Sequence, residues 1–222
     1  MVTLPDLPQT EIAIVEMTNA FRKENKLGAL APNKALAAAA RAFADYLAKS
    51  GKFAHEADGR KPAARAEAQG YRYCTVAENL ALNLDSRGFE TRQLARNAVE
   101  GWKASPGHRA NMLAPHVTEI GVAVVRAPDP DPKFISVQLF GRPDSLKVEF
   151  SVVNRAGKAV RYQLGDDKIT LPDRTIATYS RCTPDALTFE KAAPPKPYAP
   201  RNGDRYVVSP KGQEVEVSLE RK

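Results

Sequence analysis

The sequence predicts an α+β chain: a three-layer α/β/α sandwich followed by a small all-β domain. Three observations carry that expectation. Helical periodicity dominates the first hundred residues. Two runs, 117–125 and 134–140, are then apolar or small at most positions rather than at alternate ones, as in strands covered on both faces. After Pro143 the pattern changes to strict alternation with frequent turn signals, as in strands with one wet face. Helices ahead of a doubly covered hairpin imply helical layers on both sides of a sheet. The expected boundaries are an extended lead at 1–9, the sandwich at 10–143 and a small antiparallel β domain at 144–222.

Each element has its own signal. A helix is expected from about Thr10, with Ile14, Met17 and Phe21 at helical spacing. Residues 25–32 read as a connection. A second helix carries Leu36, Ala40, Phe43 and Leu47 on one stripe and stops at Gly51. A polar loop, 51–60, holds His55, and a short helix follows over 62–69. Residues 74–84 give a mixed signal around Glu78 and Asn79. A third helix spans about 91–103, with Leu94, Ala98, Val99 and Trp102 facing inward. Ser105-Pro106-Gly107 ends it, because proline and glycine do not continue a helix cheaply. His108 then opens a short helix. The proline-rich stretch 127–132 joins the two apolar strands. In the last third, Val148, Phe150 and Val152 alternate with polar residues, as do Val215, Val217 and Leu219.

Composition excludes some function classes. The net charge of +7 is dispersed, with no dense basic block and no aromatic interleaving, which argues against nucleic-acid binding. No run approaches the roughly 18 apolar residues of a transmembrane helix. The opening Met1-Val2-Thr3-Leu4-Pro5 has neither a basic start nor an apolar core, so no signal peptide is read in this chain. Cys74 and Cys182 fit either two free thiols or one disulfide, and spacing does not choose between them.

The candidate site rests on two of the three histidines, His55 and His108, in polar, glycine-flanked segments. A neutral imidazole binds a metal or acts as a base. A helix N-terminus at His108 disfavours the imidazolium. Two histidines do not complete a zinc shell, so water and a carboxylate would contribute, with Glu78 as ligand or as outer acceptor. No zincin motif, P-loop, dinucleotide fingerprint or nucleophile elbow is present. His116, beside Pro115, reads as structural or exposed, and Trp102 as core.

The residues are more specific in combination. Asn19 and Arg22 precede His55. Ala77-Glu78-Asn79-Leu80 follows, then Trp102-x-x-Ser105-Pro106-Gly107-His108-Arg109-x-Asn111, then Thr118-Glu119-Ile120-Gly121-Val122 and Gln138-x-Phe140. In that order the chain resembles the CAP superfamily (SCP-like; cysteine-rich secretory, antigen 5 and pathogenesis-related-1 proteins), in its compact bacterial form. The resemblance implies an α/β/α sandwich and a cleft tetrad of two histidines and two glutamates. His55, His108 and Glu78 match three members; the second glutamate falls on Ser105. Glu119 matches no tetrad position and is expected to have a structural or surface role. The resemblance also implies an extracytoplasmic protein, which favours a bonded Cys74 and Cys182.

Three functions follow as expectations. The first is a cleft of His55, Glu78, Ser105 and His108 that binds a divalent metal, zinc through His55 and His108, or a small or lipid ligand. The second is a hydrolase in which Glu78 or a metal activates water against a peptide or ester. The third is an envelope-associated interaction protein that docks through its β domain. With one carboxylate replaced by a hydroxyl, the residue set favours binding over turnover.

Overall fold

The computed structural model describes residues 2–183 and 185–221. The chain divides into two compact units, Met1–Ser145 and Leu146–Lys222. Within the first, helix α1 (Leu7–Glu24) begins at Asp6, whose carboxylate accepts from the Gln9 amide at 2.9 Å. Residues 7–9, expected in an extended lead, are therefore helical: the Asp6 cap, with Pro8 in the first turn, starts the helix early. Short β1 (Ala31–Pro32) leads into α2 (Lys34–Ser50), capped by Asn33 and closed by Gly51 in the left-handed conformation, φ +68°. Then come α3 (Pro62–Ala68), β2 (Tyr73–Leu84), α4 (Thr91–Ala104), α5 (Pro106–Met112), β3 (Glu119–Ala127) and β4 (Lys133–Pro143).

The sheet order is β1-β3-β4-β2, with β2 and β3 antiparallel to β4 and β1 parallel to β3. Both faces are covered. Ile120, Val122, Val124, Phe134 and Phe140 pack with α1, α4 and α5, whereas Ala123, Val125, Ile135, Val137 and Leu139 pack with α2 and α3. That is the three-layer sandwich, and it explains why both strands are apolar without alternation. Gly121 lets α2 approach β3 closely. A Cβ there would lie 2.3 Å from the Ala37 amide nitrogen and the Leu36 carbonyl carbon.

Side chains cover the outer strand β2 and the side of β3 that two-residue β1 leaves unpaired. On β3, Glu11 accepts from the Val124 amide at 2.8 Å and Arg41 donates to the Val124 carbonyl at 2.6 Å, and the two side chains pair with each other. On β2, Asn111 donates to the Glu78 carbonyl at 3.1 Å and Trp102 to the Leu80 carbonyl at 2.9 Å. Each replaces part of a missing strand.

The second unit contains two sheets around one core. One is β11-β10-β5-β8, built from β5 (Val148–Asn154), β8 (Ile176–Arg181), β10 (Asp204–Lys211) and β11 (Glu214–Arg221). The other is β7-β6-β9, built from β6 (Val160–Leu164), β7 (Asp167–Leu171) and β9 (Leu187–Phe189). Phe150, Val152, Tyr162, Phe189, Tyr206 and Val208 fill the core. Contrary to the expectation of an antiparallel domain, the pairing of β10 with β5 is parallel. Two tight hairpins carry glycine at the first loop position, Gly165 (φ +58°) and Gly212 (φ +60°), where an L side chain would be strained.

Candidate functional site

Glu78 and Asn79 are adjacent on β2, so their side chains leave the sheet on opposite faces. Each anchors one of the two histidine segments. On the α2/α3 side, Glu78 is buried, at 4% exposure. Its Oε1 lies 2.9 Å from His55 Nδ1 and its Oε2 accepts from Arg65 Nη2 at 2.7 Å. Arg65, on α3, is itself buried. It also donates from Nη2 to the His55 carbonyl, and from Nη1 to Asp58 Oδ1 and the Arg60 carbonyl, at 2.7 to 2.9 Å. Its guanidinium carbon stands 3.5 Å from the centre of the Phe43 ring. The loop carrying His55 is thereby clamped to the sheet, and Tyr46 holds the same loop through the Ala57 carbonyl at 2.9 Å.

On the opposite face, a chain of amides holds the helix that carries His108. Asn79 Nδ2 donates to the His108 carbonyl and to Gln138 Oε1, both at 3.1 Å. Asn111 donates to Asn79 Oδ1 at 3.0 Å, and Gln138 to Thr18 on α1 at 2.9 Å. Asn79 and Gln138 have no exposed surface, so these bonds satisfy groups that water does not reach. The two half-sites meet beyond β2, where the His55 and His108 ring centres are 6.3 Å apart with a 52° tilt.

The electrostatics follow from burial. Desolvation pushes the Glu78 carboxyl up, partly opposed by its bonds from His55 and Arg65. Burial, then repulsion from His55, holds His108 below the usual imidazole value, which favours its neutral form. His55 with Nδ1 as donor to Glu78 leaves Nε2 as an open acceptor. This is the arrangement in which an outer carboxylate orients a metal-binding histidine.

Ser105, the fourth expected cleft member, joins α4 to α5. Its carbonyl accepts from the Arg109 amide at 2.8 Å, and its side chain makes no capping bond. Among the described residues, no hydrogen bond links its hydroxyl to His55, Glu78 or His108. Glu119 is taken up elsewhere, accepting from Tyr71 at 2.6 Å and from Asn33 at 3.1 Å. Asn19 and Arg22 serve the scaffold: Asn19 brackets Leu30, and Arg22 donates to the Gly28, Met112 and Ala114 carbonyls. His116 is exposed. Arg65 was not anticipated; one arginine in a short alanine-rich helix carries no signal of burial.

The donor set can be tested against zinc. Among the described residues, no three His, Cys, Asp or Glu side chains converge as a metal group. Two imidazoles sharing one tetrahedral zinc place their ring centres about 5–6 Å apart, close to the observed separation. An ion placed here would have two imidazoles as its protein donors, with water or an incoming ligand completing its shell. At the opposite edge of the sheet, a groove of about 370 Å³ is lined by Ile12, Val15, Ala37 and Val122, with Glu16 and Lys34 at its rim. Neither cysteine is a free thiol: Cys74 and Cys182 are both disulfide-bonded. Among the described residues, no helix is long and apolar enough to cross a membrane.

Comparison with known proteins places this fold. Residues 15–140 match the family model for CAP, the cysteine-rich secretory protein family. The uncharacterized protein YkwD of Bacillus subtilis (strain 168) is 32% identical over 118 residues. The match covers 53% of this chain and 43% of YkwD, so this chain spans under half of that relative's length. An extracellular protein containing an SCP domain from Bacillus anthracis str. Ames is similar in structure, with TM-score 0.51 and 25% identity over 61% of this chain and 41% of that one. An outer surface protein from Borrelia burgdorferi shares the fold, with TM-score 0.51 and 21% identity over 60% of this chain and 92% of its own.

Proposed function

The chain belongs to the cysteine-rich secretory protein (CAP) family, and we propose that it is an extracytoplasmic binding protein whose cleft holds a divalent metal, zinc foremost, through His55 and His108. The observation that carries this is the Glu78–His55 contact beside a second imidazole 6.3 Å away. Glu78 acts as the outer acceptor rather than as a ligand, because both its oxygens are engaged. A bound metal would supply a Lewis-acid position open to an oxygen or nitrogen donor of a ligand. The residues themselves fix one imidazole by Glu78 and carry the other on α5, anchored through Asn79.

The same geometry counts against the hydrolase alternative. Glu78 is committed to His55 and Arg65, and among the described residues no base is bonded to the Ser105 hydroxyl. An extracytoplasmic location agrees with two bonded cysteines, which persist in oxidising compartments, and with the extracellular B. anthracis relative. Zinc titration of the metal-free protein tests the reading. One ion per chain is expected, with affinity falling at least tenfold in His55→Ala and in His108→Ala. Equal uptake by wild type and both variants overturns it.

The groove beside β1 favours a second reading, a small apolar or lipid ligand at a separate place. Displacement of a fluorescent fatty acid, lost in Ile12→Asp and retained in His55→Ala, is expected. Retention in Ile12→Asp would count against this groove.

A further inference from the structure

We propose that Arg65 is the positioning residue for His55: by gripping Glu78 Oε2, Asp58 and the His55 carbonyl together, it holds His55 in the Nδ1–H tautomer and leaves Nε2 as the open acceptor. This deepens the proposed metal-holding role of the two histidines and rests on it.

The argument is geometric. An imidazole presents a chosen nitrogen only if the other nitrogen is held by a fixed partner. Here the partner is Glu78, and a carboxylate with one bonded oxygen can still rotate about its last torsion. Arg65 removes that freedom. Its Nη2 donates to Glu78 Oε2 at 2.7 Å and to the His55 carbonyl at 2.9 Å, so one nitrogen binds both the acceptor carboxylate and the backbone of the residue being oriented. The other terminal nitrogen binds Asp58 at 2.8 Å and the Arg60 carbonyl at 2.7 Å, which fixes the loop beyond His55. Phe43 backs the guanidinium plane at 3.5 Å. A planar fork stacked on a ring satisfies these directions together; a lysine ammonium on a flexible stem does not. Arg65 bonds no atom of the His55 ring among the described residues, so it acts through Glu78 and the loop backbone.

The test reads the tautomer directly, by long-range nitrogen–proton NMR of the His55 ring in metal-free protein, for wild type, Arg65→Lys and Arg65→Met. Wild type is expected to show a single Nδ1–H form. Arg65→Lys, which keeps the charge and carries the test should Arg65→Met not fold, is expected to show mixed tautomers. Zinc affinity is expected to fall by about tenfold alongside. A merely structural role would lower stability without mixing the tautomers. A single Nδ1–H form in a folded Arg65→Lys or Arg65→Met protein, or an Nε2–H form in wild type, overturns the proposal. Mixed tautomers in a protein that takes up no zinc would leave Arg65 as the positioning residue and remove the metal reading instead.

Discussion

Glu78 and Asn79, consecutive on β2, anchor the two histidine segments from opposite faces of one strand: Glu78 bonds the His55 ring and Asn79 bonds the His108 carbonyl. The two histidine segments can meet because β2 is an outer strand of its sheet, so segments from both helical layers reach beyond it. Substitutions at the two positions therefore report on different layers. Glu78→Ala leaves buried Arg65 with Asp58 as its remaining carboxylate, and a loss of about 1–3 kcal/mol is expected. Asn79→Ala leaves Gln138 Oε1 and the His108 carbonyl without their donor, with an expected loss of about 2–3 kcal/mol. Urea unfolding monitored through Trp102 measures both.

Gly121 permits the packing of α2 on β3. Gly121→Ala sets a methyl against backbone atoms of Leu36 and Ala37, which cannot swing aside as a side chain would. The expected loss is about 3 kcal/mol. A denaturation midpoint equal to wild type would show that the two elements have room to separate.

His108 is expected to titrate below the ordinary imidazole value of 6.5, because burial and the neighbouring His55 oppose its charge. Between the depressed folded value and the ordinary unfolded one, the unfolded chain binds the extra proton. Its contribution to stability is thus whole above pH 6.5 and is lost as pH falls through the folded value. Proton NMR of His108 from pH 4 to 8 checks this: its ring is expected to protonate below the ordinary imidazole value of about 6.5.

Glu11 and Arg41 cover the amide and carbonyl of Val124. Glu11→Ala exposes the amide on the part of β3 that β1 does not cover, and greater self-association at high concentration is expected. Sedimentation velocity reads it; a monomer at every concentration would assign the pair to stability alone.

Cys74 and Cys182 are both bonded, so intact protein should take up no alkylating reagent without reductant and two equivalents after reduction. Mass spectrometry measures both states.

The helices and the β3–β4 hairpin were legible because their periodicity is set by burial, and burial is what a sequence displays. Strand β2 was not. Glu78, Asn79 and Asn83 interrupt its apolar pattern, and the first two interrupt it because they hold His55 and His108. The parallel pairing of β5 with β10 was hidden for another reason: alternation fixes which face of a strand is wet but not which strand lies beside it. His55, Glu78 and His108 were found together through their order in a motif, since no spacing rule joins residues 55, 78 and 108. Arg65 escaped even that. Its burial depends on Glu78, Asp58 and Phe43, which come from three other segments.

Metal content is the most direct measure of the central claim. Untagged protein, dialysed against trace zinc and analysed by atomic spectrometry, is expected to retain about one zinc per chain, and the His55→Ala/His108→Ala double variant close to none. Equal zinc in the two proteins, or none in the wild type, would contradict it.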